Sequence, residues 1–163
     1  MKCPSCGFTD EPVMTAPVLP PCPFPVFPNG LRQIIATFGK PGEPPLGKAK
    51  VPDVFRRLPY CASGTITVHK SLVKVVEWVF AEIAYQGLAD CIKSYDGCFN
   101  PRKKRGGSDW STHAWAIALD INAGDCPMGS KNKIPKGIVA IFERAGFLQL
   151  EGDYMHFQWC KGY

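Results

Sequence analysis

An aspartate within an apolar segment constrains the fold of this chain more than any other feature. Residues 114–121 are apolar except for Asp120, although a buried strand is expected to remain apolar throughout. His113 stands just before this segment, and His156 interrupts a second, largely apolar segment at 154–159. A buried carboxylate or imidazole is costly unless it is paired or bound to a metal. We therefore expect a fold that brings these polar positions together.

Two imidazoles and one carboxylate form a common set of zinc ligands. His113, Asp120 and His156 would leave one coordination position open for water, which distinguishes a catalytic zinc site from a closed structural one. Hydrolysis also requires a base, for which Asp153 is the nearest candidate to a proposed ligand and Glu151 is the alternative. The spacing alone leaves a second interpretation open, in which the two histidines are ordinary core residues.

Other polar residues near these segments are candidates for supporting roles. Arg102 or Arg105, in the basic run before the first ligand, would stabilise negative charge that develops on a carbonyl oxygen. Ser111 would either form a hydrogen bond near the ligands or cap a turn or helix. A solvated loop is the alternative interpretation of the basic run at 102–105.

Both segments resemble the signatures of a zinc peptidase family that contains D-alanyl-D-alanine carboxypeptidases and L-alanyl-D-glutamate endopeptidases, phage endolysins among them. The first signature is Ser-x-His-x-x-Gly-x-Ala-x-Asp, and the residues that match it in register are Ser111, His113, Ala118 and Asp120. The second signature places an acidic residue three positions before a histidine, as Asp153 and His156 are placed here. The similarity covers residue 29 to the C-terminus.

The resemblance implies a role for each residue. His113, Asp120 and His156 become the ligands of Zn²⁺, and Asp153 becomes the general base. Relatives also have a catalytic arginine upstream of the first signature, and we favour Arg102 for that position over the arginine three residues later. The implied substrate is the peptide part of bacterial peptidoglycan, and the implied fold is that of the Hedgehog and DD-peptidase proteins.

Two features depart from the pattern of the family. Ala116 stands where the family usually has glycine, and we expect a negative φ there, at which alanine costs little. On a regular strand Asp153 and His156 would point to opposite faces, because side chains alternate with period two. A turn or bulge at Gly152 would bring Asp153 back toward the metal.

The hydrophobic pattern predicts an α+β domain with a small, mainly antiparallel sheet and flanking helices. The predicted helices are 30–38, 69–85 and 134–145. The predicted strands are 88–95, 147–150 and 154–159. His69, which begins the second helix, is expected to be a surface or capping residue rather than a metal ligand.

The length of 163 residues fits one domain with a single core. Residues 1–28, rich in Pro and Cys, are predicted to form an extended arm before a peptidase domain at 29–163. Cys3 and Cys6 have the spacing of a zinc knuckle, but a zinc ribbon needs a second pair and only Cys22 follows nearby. A complete zinc site in the arm is therefore not favoured, and the eight cysteines are expected to be mostly reduced.

The net charge of +5 favours approach to anionic surfaces such as cell-wall polymers. Nucleic acid is not predicted as a partner, because no aromatic-interleaved RNA signature or basic helix accompanies the basic run. Membrane insertion is not predicted either, since no segment approaches the roughly 20 apolar residues of a membrane helix. The start of the chain lacks the apolar core of a secretion signal. We expect a monomer that is made in the cytoplasm and reaches the cell wall after phage-induced release.

The favoured function is cleavage within the peptidoglycan stem peptide by a phage-type lytic endopeptidase. A D-alanyl-D-alanine carboxypeptidase and a non-catalytic zinc module of the same fold are the alternatives, and Asp153 beside all three ligands argues against the second. A cysteine peptidase is not favoured, because no cysteine has a histidine at a spacing typical of a nucleophile pair. The sequence leaves open which peptide bond is cut.

Overall fold

A computed structural model describes residues 15–23 and 27–163 of the chain. Its helices are α1 (Gly30–Phe38), α2 (Val73–Tyr85) and α3 (Lys136–Arg144). Its strands are β1 (Leu46–Lys50), β2 (Thr65–His69), β3 (Tyr95–Gly97), β4 (Ala118–Ile121), β5 (Leu148–Leu150) and β6 (Asp153–Gln158). The predicted zinc knuckle of Cys3 and Cys6 lies outside the described residues.

The strands form two antiparallel sheets. β1 pairs with β2, and a four-stranded sheet has the order β3-β4-β6-β5. α2 packs against β1 and α3, and α3 also packs against β5. The predicted α+β class, with small antiparallel sheets and flanking helices, is confirmed. The closer likeness to the Hedgehog and DD-peptidase fold stays a prediction.

The core lies between the helices and the sheets, and aromatic side chains fill much of it. Phe80 of α2 meets Phe55 edge to face, with ring centroids 5.0 Å apart. Phe142 of α3 stacks on Phe157 of β6 at 4.1 Å. This contact packs α3 against the sheet that carries Asp120 and His156. Burial of each such side chain contributes about 1.5–3 kcal/mol to the free energy of unfolding. The predicted buried face of the third helix is confirmed, since Ile138 is also fully buried.

The described part of the N-terminal arm contacts α2. Residues 15–23 form no helix or strand, and the carbonyl of Pro17 accepts a hydrogen bond from Trp78 Nε1 at 3.0 Å.

No helix among the described residues is both long and apolar enough to cross a membrane. Several thiols of the domain are free, namely Cys61, Cys91, Cys98, Cys126 and Cys160.

The predicted start of the second helix at His69 is wrong. His69 is the last residue of β2, a 3-10 turn follows, and α2 begins at Val73. The imidazole is buried rather than at the surface, and its Nδ1 accepts a hydrogen bond from the amide of Ser71 at 3.2 Å. Of the two expected roles, capping is therefore confirmed and surface exposure is not.

The predicted strand at 88–95 is also wrong. A 3-10 turn occupies Ala89–Cys91, and only the short β3 follows. Much of the backbone before β3 bonds to side chains and not to a neighbouring strand: Arg57 donates to the carbonyls of Ala89 and Ile92, and Asn122 accepts from the amide of Lys93. The apolar residues of this segment therefore predicted a strand where distant side chains supply several of the backbone hydrogen bonds.

Acidification is expected to destabilise the fold through His69. Burial, together with the charge of Lys70, lowers the pKa of His69 from about 6.5 to about 4. The unfolded chain therefore binds more protons than the folded chain between these values, so stability is full above pH 6.5 and falls as the pH drops toward 4. The contribution lost at pH 4.5 is roughly 2 kcal/mol.

The measurement is urea unfolding at pH 7 and pH 4.5 with chelator present, so that metal binding does not contribute. His69→Asn keeps an acceptor for the amide of Ser71 and removes the titration. The variant should lose about 2 kcal/mol less than the wild type on acidification. Equal losses in the two proteins would show that His69 does not carry this pH dependence.

Candidate metal centre

Three elements carry the predicted ligands. His113 lies in a 3-10 turn at Thr112–Trp115, Asp120 lies on β4, and His156 lies on β6. The antiparallel register of β4 and β6 sets Asp120 directly opposite His156. Opposite residues have Cβ atoms about 4.5–5.5 Å apart, so their side chains meet on the same face.

The turn before β4 is held by capping and by a left-handed residue. Ser111 Oγ accepts a hydrogen bond from the amide of His113 at 3.4 Å, so Ser111 has the capping role that was one of its two predicted roles. Ala116 has φ of +55°, which corrects our expectation of a negative value. Its amide donates to the carbonyl of His113, and its carbonyl accepts from the amide of His69. The chain must reverse here to enter β4, at a cost of about 1–2 kcal/mol for a residue other than glycine.

The three predicted ligands form one compact group. Asp120 Oδ1 lies 2.9 Å from His156 Nδ1, and Asp120 Oδ2 lies 3.1 Å from His113 Nε2. The two nitrogens are 3.2 Å apart. Tetrahedral zinc with bonds of about 2.05 Å separates its ligand atoms by about 3.3 Å. The group is buried and can hold a metal ion.

Hydrogen bonds on the outer side of each imidazole set its tautomer. His113 Nδ1 lies 2.7 Å from the carbonyl of Cys98, which can only accept, so Nδ1 carries the proton. His156 Nε2 faces Gln158 Oε1 at 3.2 Å. Because a carbonyl oxygen likewise only accepts, His156 donates from Nε2. The lone pairs of both rings then point inward, as metal ligands require.

The orientation of the Gln158 amide is itself determined by its neighbours. Gln158 Nε2 donates to the carbonyls of Cys160 and Tyr163, which leaves Oε1 facing His156. Thr112 Oγ1 also donates to this oxygen at 3.3 Å and lies 3.2 Å from His156 Nε2. Our sequence interpretation missed both supporting residues. The position of Gln158, two residues after a ligand on one strand, is a signal that would have indicated a shared face.

The chemistry of this donor set fits a cation. Two inward nitrogen lone pairs and a carboxylate converge within hydrogen-bonding distance, an arrangement that is repulsive unless a positive charge lies among them. Burial raises the pKa of Asp120, but its interactions with the neighbouring His113 and His156 outweigh burial and hold that pKa well below its ordinary value. Asp120 is therefore ionised, which ligation requires.

We expect Gln158→Leu to weaken zinc binding by roughly tenfold to a hundredfold. Leucine is of similar size but offers no acceptor to His156 Nε2, so the ring is free to adopt the wrong tautomer. Competition with a zinc-responsive dye measures the affinity. Gln86→Leu, a matched change at an exposed position after α2, should leave zinc affinity unchanged. Equal zinc affinities in the wild type and the Gln158 variant would show that this amide does not support the metal site.

Asp153 approaches the ligand group because β6 is irregular. Gln149 pairs with Phe157 while the next residue of β5, Leu150, pairs with Asp153, so β6 has three extra residues between these pairs. The turn before β6 contains Gly152 with φ of +78°. This departure from strict alternation is the kind that we predicted, and Asp153 and His156 line the same cavity.

The carboxyl group of Asp153 is unusual in its surroundings. Its Oδ1 is buried and has no hydrogen-bond partner among the described residues. Burial raises the pKa of Asp153, and Asp120 raises it further, while His156, Arg105 and His113 partly offset the shift. A carboxylate with a raised pKa and an unused oxygen is suited to accept a proton. The rival base, Glu151, is exposed in the turn before β6.

Two cavities meet at the ligand group. The first, of about 610 Å³, is lined by His113 and Asp120 among others, and the second, of about 240 Å³, by Asp120, Asp153 and His156 among others. Arg102 is half-buried and lines both cavities. Arg105 is exposed and lines the second cavity. The two candidate arginines therefore differ, because only Arg102 lies where the cavities meet.

The fold and site define an α+β protein with a buried His-Asp-His group that can bind a metal ion beside an unpartnered carboxylate oxygen. Comparison of the chain with profiles of known protein families, with curated proteins and with solved structures finds no match. The resemblance of the two signatures to the zinc peptidases thus stays a prediction from the motifs.

Proposed function

We propose that this chain is a zinc-dependent peptidase that hydrolyses a peptide bond in the stem peptide of peptidoglycan. The observation that carries the proposal is the convergence of two inward imidazole nitrogens on one carboxylate, with the buried oxygen of Asp153 in the adjoining cavity. Zinc held by His113, Asp120 and His156 would supply Lewis acidity that activates water and polarises a carbonyl.

Asp153 and Arg102 have separate roles in the proposed hydrolysis. Asp153 accepts the proton of the attacking water at its buried carboxylate, and then delivers that proton to the leaving amine. Its raised pKa favours acceptance of the proton. Arg102 holds the scissile carbonyl oxygen as negative charge develops there. This role suits its position at the junction of the two cavities.

Two other interpretations are less well supported. A cysteine peptidase is disfavoured because burial raises the pKa of Cys98 far above its ordinary value and that of Cys160 to about 12, which leaves little thiolate at neutral pH. A non-catalytic zinc module has no use for the unpartnered oxygen of Asp153, whose burial without a hydrogen bond costs stability.

Digestion of purified peptidoglycan by the zinc-loaded chain tests the proposal, with new termini identified by mass spectrometry. Cleavage inside the stem is expected, with loss of activity in chelator and recovery on addition of zinc. Release of free D-alanine alone would indicate a carboxypeptidase. Failure to release any product, with zinc demonstrably bound, would overturn the peptidase assignment in favour of a binding module.

A further inference from the structure

Part of the wall of the first cavity consists of uncharged side chains that carry hydroxyl groups. They belong to β2 and the turns before it, namely Tyr60, Ser63, Thr65 and Thr67. Thr65 and Thr67 share one face of β2, because side chains alternate along a strand, and Ile66 between them is buried on the other face. The second cavity differs in chemistry, since charged side chains such as Arg105 and Asp153 line it.

Contacts within this wall hold its hydroxyl groups in place. Lys48 Nζ donates to Thr67 Oγ1 at 2.6 Å, and Ser63 Oγ lies 3.1 Å from Thr65 Oγ1. A hydroxyl group can both donate and accept a hydrogen bond. The proton of the Thr67 hydroxyl has no acceptor among the described residues, so it can be donated into the cavity. The wall is therefore suited to a ligand that itself carries hydroxyl groups.

Two apolar groups at the same cavity are unusually exposed. Tyr60, in a 3-10 turn at Pro59–Cys61, is 70% exposed, and Leu46 of β1 is 44% exposed. The face of a tyrosine ring is electron-rich and attracts the positive edges of C–H groups. A sugar ring presents C–H groups on its faces and hydroxyl groups on its edges. An aromatic face and hydroxyl groups in one cavity therefore match both parts of a sugar.

The charges of the first cavity favour a neutral ligand. Apart from Arg102 and the metal ligands, its charged side chains are Lys48 and Asp96. Asp96 Oδ2 already accepts hydrogen bonds from the hydroxyl of Ser94 at 2.7 Å and the amide of Ala123 at 2.9 Å. Because the charges of Lys48 and Asp96 are opposite in sign, this part of the cavity favours neither an anion nor a cation.

A peptide is the other class of ligand that this cavity could receive. An extended peptide is commonly bound through main-chain hydrogen bonds at the edge of a sheet. β1 and β2 instead present a face of side chains, because Leu46, Lys48, Thr65 and Thr67 alternate along the two strands and all line the cavity. Such a face offers hydroxyl groups and no free main-chain groups, so it suits a sugar better than a peptide backbone.

We propose that the first cavity is a subsite for a neutral sugar of the peptidoglycan strand, with Tyr60 as the stacking platform and Thr67 as a hydrogen-bond partner. The cavity volume of about 610 Å³ is within the range of small-molecule sites, about 300–1,000 Å³. This inference rests on the proposed peptidase function and narrows its substrate to stem peptides that are still joined to the glycan.

The test compares two substrates that contain the same stem peptide. In one, the peptide is joined to the disaccharide of N-acetylglucosamine and N-acetylmuramic acid, and in the other its N-terminus is acetylated. The zinc-loaded chain is expected to cleave the glycan-linked peptide with kcat/KM at least about tenfold higher, as one stacked ring and one hydrogen bond would give. Tyr60→Ala should reduce this ratio severalfold, Tyr60→Phe should retain most of it, and Thr67→Val should lower it by a smaller factor.

Tyr85→Ala is the matched control, because Tyr85 is exposed at the end of α2 and lines neither cavity. It removes the same side chain and should leave the ratio at the wild-type value. A wild-type ratio near one would overturn the subsite. Equal ratios in the Tyr60→Ala and Tyr85→Ala variants would also overturn it.

Failure of this inference can be separated from failure of the proposed function. Equal cleavage of the two substrates would leave the peptidase standing and remove the sugar subsite. If neither substrate is cleaved, an NMR titration of the zinc-loaded chain with the disaccharide alone, its lactyl carboxyl group capped as an amide, still decides the subsite. Binding that Tyr60→Ala weakens and Tyr85→Ala does not supports it. Absence of binding at millimolar disaccharide, or equal binding by the two variants, contradicts it.

Discussion

Replacing Asp120 with alanine is expected to lower the affinity for zinc by more than about a hundredfold and to abolish zinc-dependent hydrolysis, because loss of a direct ligand exceeds the effect of losing a supporting contact. Asp120 is the anionic member of the group and contacts both imidazoles through separate oxygens. Without it, His113 and His156 still direct their lone pairs at one another across 3.2 Å. Protonation of a ring would then compete with binding of zinc.

The affinity of the Asp120 variant is measured by competition with a chelator of known strength, and circular dichroism checks that the fold is retained. Asp125→Ala provides a matched control, since Asp125 is exposed and belongs to neither cavity. It should bind zinc as the wild type does. Tight stoichiometric zinc binding by the Asp120 variant would mean that the metal binds elsewhere, and would contradict the proposed site.

Asp153→Asn is expected to keep zinc affinity within a few fold of the wild type and to lower kcat by about 10²–10⁴. Asparagine has the shape of aspartate but cannot accept the proton of the attacking water. The unpartnered Oδ1 of Asp153 is the group that would receive this proton. Loss of turnover with retained zinc would therefore separate the base from the ligands.

The readouts for Asp153 are zinc stoichiometry and the rate of release of stem-peptide fragments. Glu151→Gln is the informative comparison, because Glu151 is the other acidic residue of the same turn and is exposed. It should retain nearly full activity. Should the Glu151 variant be inactive and the Asp153 variant active, the assignment of the base would have to be exchanged.

Much of the site was predictable because its residues interrupt regular patterns. Asp120 and His156 stand out in apolar segments, and the structure sets them opposite one another in β4 and β6. The helical period that predicted the second helix also holds from Val73 onward, where one face packs into the core. These patterns predict structure correctly because a buried face requires an apolar side chain at each turn of a helix or at every second residue of a strand.

Other features required contacts between residues that are remote in sequence. The apolar residues at 88–95 suggested a strand, but the side chains of Arg57 and Asn122 bind much of its backbone instead. Ala116 takes a left-handed conformation because the turn that carries His113 must reverse into β4, which outweighs the local preference of alanine. Neither outcome is visible in a window of neighbouring residues.

The amino-acid order was therefore sufficient for the α+β class, for the choice of the three candidate ligands and for the acidic residue before the last of them, because each depends on residue type and local spacing. Folding in three dimensions set the tautomers of the imidazoles through Cys98 and Gln158, the irregular entry of Asp153 into β6, and the contrast between the two cavities. These depend on which distant backbone and side-chain groups meet, since a hydrogen bond acts over about 3 Å of space and not over positions in a sequence.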